Sequence, residues 1–130
     1  VSHTLINPDG LHDPTGFGYS HIARASGEMV FIAGQYASDA QGRLAVADFA
    51  DQVDLAFARL RTALAAAGLD YRDVVQLRTH IVDHDTDKLT VIVGRIAAIW
   101  GDRPPTQTLT GVAALALPGM LFEVDAIAVA

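Results

Sequence analysis

The longest regular pattern in the chain is helical. Phe49, Val53, Ala56, Leu60, Leu64 and Ala67 recur at spacings of three and four and so share one face of a helix over Asp48–Ala67. Asp48 stands where an N-cap carboxylate accepts from the first unpaired amides, and Gly68 where the chain leaves a helix in a left-handed conformation. A second face, made by Leu89, Ile92, Val93, Ile96 and Trp100, predicts a helix over Thr86–Trp100. The acidic turn Asp83–Asp87 leads into it, and Gly101 and Pro104-Pro105 end it. Between the two helices the period falls to two. Val75, Leu77, Thr79 and Ile81 alternate with Gln76, Arg78 and His80, the pattern of a half-buried strand over Val74–Val82.

The remaining apolar runs are shorter. Tyr19–Ala25 and Met29–Gly34, separated by Ser26-Gly27-Glu28, predict a β-hairpin. Thr106–Leu115 and Leu121–Val129 predict two further strands, linked by the turn Leu117-Pro118-Gly119. Val1–Gly18 is turn-rich, with Asn7-Pro8-Asp9-Gly10, Asp13-Pro14 and Gly16-Phe17-Gly18, and predicts an irregular lead-in. The resulting order, β-β-α-β-α-β-β without repeat or linker, is that of one α+β domain over residues 1–130, with two helices on one face of a mixed sheet. Two helices cannot cover both faces. The second face calls for a partner, and another copy of the chain is the simplest one.

Composition narrows the partner classes. The 130 residues are 51% hydrophobic and 18% charged, with no cysteine, which excludes a disulfide scaffold and a thiolate zinc site. Net charge is −6, the arginines are scattered and Lys88 is the single lysine, so no basic run exists to neutralise phosphates and nucleic acid is not an expected partner. No apolar stretch reaches the roughly eighteen residues of a membrane span, and no basic segment followed by an apolar run opens the chain. The expectation is a cytoplasmic protein that neither enters a membrane nor carries a signal peptide. His80, Asp83, His84, Asp85 and Asp87 invite a metal reading, but His80 and His84 leave a strand and do not share a helix face. The acids also lack the glycine and terminal glutamate of a calcium loop, so no metal is expected.

Four segments in order resemble the RidA (YjgF) reactive-intermediate deaminase family. Gly18-Tyr19-Ser20-His21 is similar to its Gly-Pro-Tyr-Ser-Gln start, and Phe31–Gln35 to its strand ending in Ser-Gly-Gln. Asp73–Asp83 follows Asp-Val-Val-Lys-x-Thr-x-Phe-Val-x-Asp. Arg103–Ala113 and Phe122–Ala128 resemble the two halves of its C-terminal signature, Pro-Ala-Arg-x-x-x-x-Val-Ala and Val-Glu-Ile-Glu-Ala-Ile-Ala. The resemblance implies a chorismate-mutase-like subunit and a homotrimer whose sheets form a central barrel. It also implies small-molecule clefts between subunits and hydrolysis of an imine or enamine without a cofactor.

Carried over residue by residue, Glu123 is the catalytic carboxylate that positions water, Tyr19 packs over the ligand and Gly34 allows close approach. The family's carboxylate-gripping arginine falls on Gln107, beside Thr108, if Val112-Ala113 matches its Val-Ala; it falls on Thr106 if Pro104-Pro105 matches its Pro-Ala. Neither is a cation. A neutral amide bond is roughly half as strong as a charge-assisted one, so the expectation is a poor hydrolase of 2-imino acids that prefers a neutral or amide-like ligand. The strands carrying Gln107 and Glu123 are expected to be neighbours and to share one cleft. The alternative reading is a non-catalytic trimer that binds a metabolite or a protein.

Overall fold

The structure, a computed structural model, describes residues 3–130. Its elements are β1 (His3–Ile6), β2 (Ile22–Ala25), β3 (Met29–Gln35), α1 (Phe49–Ala66), β4 (Val74–Val82), α2 (Thr86–Trp100), β5 (Thr106–Val112) and β6 (Phe122–Val129). Both helices and β4 lie where the periodicity places them. Asp48 caps α1 by accepting from the Asp51 amide, Asp85 caps α2 by accepting from Lys88, and Gly68 leaves α1 at φ 77°. No helix among the described residues is long and apolar enough to cross a membrane.

Four strands form the central sheet in the order β3-β6-β4-β5. β4 and β5 run parallel, joined by α2 as the crossover, while β6 is antiparallel to both its neighbours. The helices cover one face, where Val53, Leu60, Leu64, Ile92 and Ile96 meet Leu77, Ile81, Phe122, Val124 and Ala126 in one buried cluster. The expected α+β architecture, two helices on one face of a mixed sheet, is therefore present. Gln52, fully buried on α1, donates to the carbonyls of Ala47 and Gly119 and accepts from the Leu121 amide. It thereby ties the helix to the turn that precedes β6.

The predicted hairpin does not form. β2 pairs with β1, from His3↔Ala25 to Ile6↔Ile22, and β3 pairs with β6. The reason lies in what each run can bury. β3 turns Val30 and Ile32 toward the core cluster and finds a long partner in β6, whereas three of the four β2 residues are exposed. The Ser26–Glu28 link is pinned between them: Ala130 donates its amide to the Glu28 carbonyl, and a Cβ on Gly27 (φ 123°) would stand 2.4 Å from the Ala130 oxygen. The lead-in also contains a strand, β1, too short to register as alternation; Val1 and Ser2 of that segment lie outside the described residues. β5 ends at Val112, not Leu115, and does not pair with β6.

Before β2, Ser20 bridges Thr106 in parallel, donates its amide to Pro105 and its hydroxyl to Pro104. This places Tyr19 and Ser20 beside the start of β5, at the edge opposite β3. The connecting segment passes across the end of the sheet, where Ile22 and Ala23 line a groove with Gln76, Thr106 and Ile127.

Candidate functional site

The face of the sheet that carries no helix is polar where its neighbours pair. Strand register sets three rows across it: Glu123–His80–Thr110, Asp125–Arg78–Thr108 and Ile127–Gln76–Thr106, read from β6 through β4 to β5. In the middle row one Asp125 oxygen accepts from Arg78 Nε at 2.8 Å, and the other meets His80 Nε2 at 3.2 Å. The hydrogen bond and charge of Asp125 hold the Arg78 guanidinium above its ordinary pKa. A proton on His80 Nε2 suits this contact and leaves Nδ1 as the ring's acceptor in the neutral form.

Glu123 sits directly opposite His80 and beside β3. There the β3–β6 register shifts between Ile32 and Gln35, and Gly34 falls in the bulge. A Cβ at position 34 would lie 2.6 Å from Glu123 Cδ. The glycine thus makes room for this carboxyl group itself. Asp125 takes Arg78 and His80, and no side chain among the described residues bonds the Glu123 carboxylate.

Tyr19, Gln107 and Thr108 gather at the other edge. The Tyr19 hydroxyl lies 2.7 Å from His12 Nε2, and His21, bonded to the His12 carbonyl, stacks edge-on to the tyrosine ring. Gln107 points to the helix side: its oxygen accepts from the buried Thr79 hydroxyl and its nitrogen donates to the Gly18 carbonyl. With His12, Phe17, Tyr19, Ile92 and Leu109 it walls an apolar cleft of about 690 Å³.

The expectation of neighbouring strands is corrected here, because β4 lies between β5 and β6. Within one copy, Gln107 and Glu123 also face opposite sides of the sheet. Thr106 and Thr108 share the open face with Glu123, although the Thr106 hydroxyl is engaged by the Val75 carbonyl at 2.7 Å. The structure therefore joins Gly34 to Glu123 and Tyr19 to Gln107 and Thr108, as two separate groups. The Arg78–Asp125–His80 network was not foreseen. The alternation in β4 marks Arg78 and His80 as outward, but only pairing with β6 reveals their shared partner. No group of three or more His, Asp or Glu among the described residues is arranged to hold a metal.

Known proteins share this fold. The family model described as Endoribonuclease L-PSP matches residues 12–130. The RutC family protein YjgH of Escherichia coli (strain K12) is 32% identical over 131 residues, covering 98% of this chain and 95% of that protein. The Rid-family protein YyfB of Yersinia pestis superposes with a TM-score of 0.94 at 37% identity, over 100% of both chains. E. coli TdcF, solved with bound serine, superposes with a TM-score of 0.67 at 28% identity, over 80% of this chain and 82% of its own. With this sheet, these helices and the four motifs in place, the chain belongs to the Endoribonuclease L-PSP family, the YjgF/Rid proteins with a chorismate-mutase-like fold.

Proposed function

We propose that this protein binds a small molecule in clefts between the copies of a homotrimer and hydrolyses a small imine or enamine there. The observation that carries the reading is the split of the candidate residues between two edges of one sheet. Gly34 and Glu123 lie by β3 and β6, while Tyr19, Thr106 and Thr108 lie by β5. A site containing both groups needs two copies, with the β3 edge of one meeting the β5 edge of the next. The open face invites such a partner, since it leaves Phe31 70% exposed and Met29 56% exposed. The serine bound to TdcF supports a ligand of amino-acid size.

The chemistry needs no cofactor. The oxygen of a water forms a bond to the C=N carbon, the π pair moves to nitrogen, and Glu123 accepts the water's proton. Glu123 returns that proton to the nitrogen, then takes the adduct's hydroxyl proton and delivers it as the C=O bond forms, the C–N bond breaks and ammonia leaves. An enamine first gains a proton on carbon and loses one from nitrogen to become the imine. His80, opposite Glu123, is placed to take up a proton on its free ring nitrogen and hand it on. The three rows carry two carboxylates against one guanidinium, which Asp125 already engages. This balance disfavours an anionic substrate, so the preferred one is neutral or amide-like.

The test is ammonia release from enamines generated in situ, comparing an amino-acid-derived imine with an uncharged analogue. The uncharged substrate is expected to turn over faster, Glu123→Gln is expected to be inactive, and light scattering should show a trimer. A monodisperse monomer would remove the shared cleft. Ligand binding without ammonia release from either substrate would leave a non-catalytic binding trimer.

A further inference from the structure

Arg72 closes the turn before β4, and Arg103 lies in the loop before β5. Because β4 and β5 run parallel, with Gln76 paired to Thr106, these two pre-strand segments arrive at the same end of the sheet. There His3, Arg72, Val74, Ile99, Trp100 and Arg103 enclose a cavity of about 170 Å³. None of these residues belongs to the open-face rows.

Three properties of the cavity point to a ligand. The first is a pair of guanidinium groups without an ion-pair partner among the described residues. Arg61, Arg78 and Arg95 each face an aspartate, whereas Arg72 and Arg103 form no ion pair among the described residues. The nearby Asp73 carboxylate is engaged by the Asp70 amide at 2.8 Å. The second is His3, only 9% exposed, whose Nδ1 is shielded from solvent with no hydrogen-bond partner among the described residues. Such an orphan in a native fold calls for a group to meet it. Burial, then the positive charge of Arg103, lowers the His3 pKa, with the Asp73 carboxylate opposing. The third is size. At about 30 Å³ per water, the space holds one compact anion with a few waters, and no nucleoside.

We propose that this cavity binds a small oxyanion, a phosphate group in particular, between Arg72 and Arg103 with His3 as a further donor. Guanidinium forks match phosphate oxygens. A tetrahedral group offers acceptors to three donor side chains at once, whereas a carboxylate has two oxygens to share among them. Ile99 and Trp100 supply an apolar wall of the cavity.

The chain contains its own reporter. Trp100 is the single tryptophan, lines the cavity and is fixed by donating Nε1 to the Tyr71 carbonyl at 2.9 Å. Inorganic phosphate titrated at constant ionic strength against chloride should produce a saturable change in its fluorescence. Arg72→Gln and Arg103→Gln should each weaken binding about tenfold or more, since a hydrogen bond to a charged group is worth about 1.5–3 kcal/mol. Acetate should bind more weakly than phosphate. Both arginines are exposed, so circular dichroism should show the variants folded. Should either unfold, phosphate-dependent shifts of the His3 ring resonances in the native protein provide the same reading. A response that does not saturate, or one unchanged in the double variant, overturns the site. Acetate binding as tightly as phosphate overturns the tetrahedral assignment.

Discussion

Over Gln76–Ile81 and Phe122–Ala126 the two faces of the central sheet are built from alternate residues of the same strands, yet they differ in kind. Toward the helices lie Leu77, Thr79, Ile81, Phe122, Val124 and Ala126, all buried, with the one hydroxyl bonded to Gln107. Away from them lie Gln76, Arg78, His80, Glu123 and Asp125, joined by register and hydrogen bonds instead of by packing. The first face carries stability, because each side chain there is out of water. The second contributes little to stability while exposed, since solvent screens its ion pairs. It is therefore free to hold chemistry and to receive a partner.

The largest expected effect tests that division directly. Leu77→Ala should cost about 2–5 kcal/mol in urea denaturation, through lost burial and the cavity left behind. Arg78→Ala, one residue along the same strand, should lower stability far less, because the guanidinium is exposed and solvent screens its charge. Equal losses would break the comparison.

Gly34→Ala probes the seam between β3 and the open face. The added methyl would collide with Glu123 Cδ, so the carboxyl group, the far end of a flexible side chain, must swing away. Ammonia release should fall about as far as in Glu123→Gln, while the midpoint of thermal unfolding shifts only modestly. Retained activity would separate the Glu123 position from catalysis.

Adding a cation on either side of β5 sharpens the comparison further. Gln107→Arg removes the bonds to Thr79 and Gly18 from the helix side and should destabilise by about 1–3 kcal/mol without improving turnover of an acidic imine. Thr106→Arg places the charge on the face of Glu123, at a cost of about 1 kcal/mol for the lost bond to Val75. It should lower KM for the acidic substrate about tenfold. The reverse outcome, gain at Gln107 and none at Thr106, would show that the ligand enters from the helix side.

The smallest effect concerns His3, which packs at the end of the sheet. Its pKa in the folded state lies below the ordinary 6.5, through burial first and then the charge of Arg103, with Asp73 opposing. The unfolded chain therefore binds this proton more readily. The contribution of a neutral His3 is complete above about pH 6.5 and is lost as pH falls through the depressed folded value. Denaturation of His3→Phe should show a shallower loss over that window than the native protein, and parallel curves would exclude His3 as the cause.

What the sequence determined by itself is which side of each long element is apolar. The spacings from Phe49 to Leu64 and from Leu89 to Trp100 set both helices, and the alternation from Val75 to Ile81 set both faces of β4. Burial acts residue by residue along one element, so its imprint is local and readable. The carboxylate of Glu123, set in an apolar strand, was visible for the same reason. Only the tertiary structure decided which strands pair and in which register. It took β2 from β3 and gave it to β1, put β4 between β5 and β6, and turned Gln107 to the helices with Thr106 on the side of Glu123. It also brought Arg78 and His80 to one aspartate, and Arg72 and Arg103 to one cavity. Pairing is a competition between segments far apart in the chain, settled by how much apolar surface each arrangement buries, and no local window contains its terms.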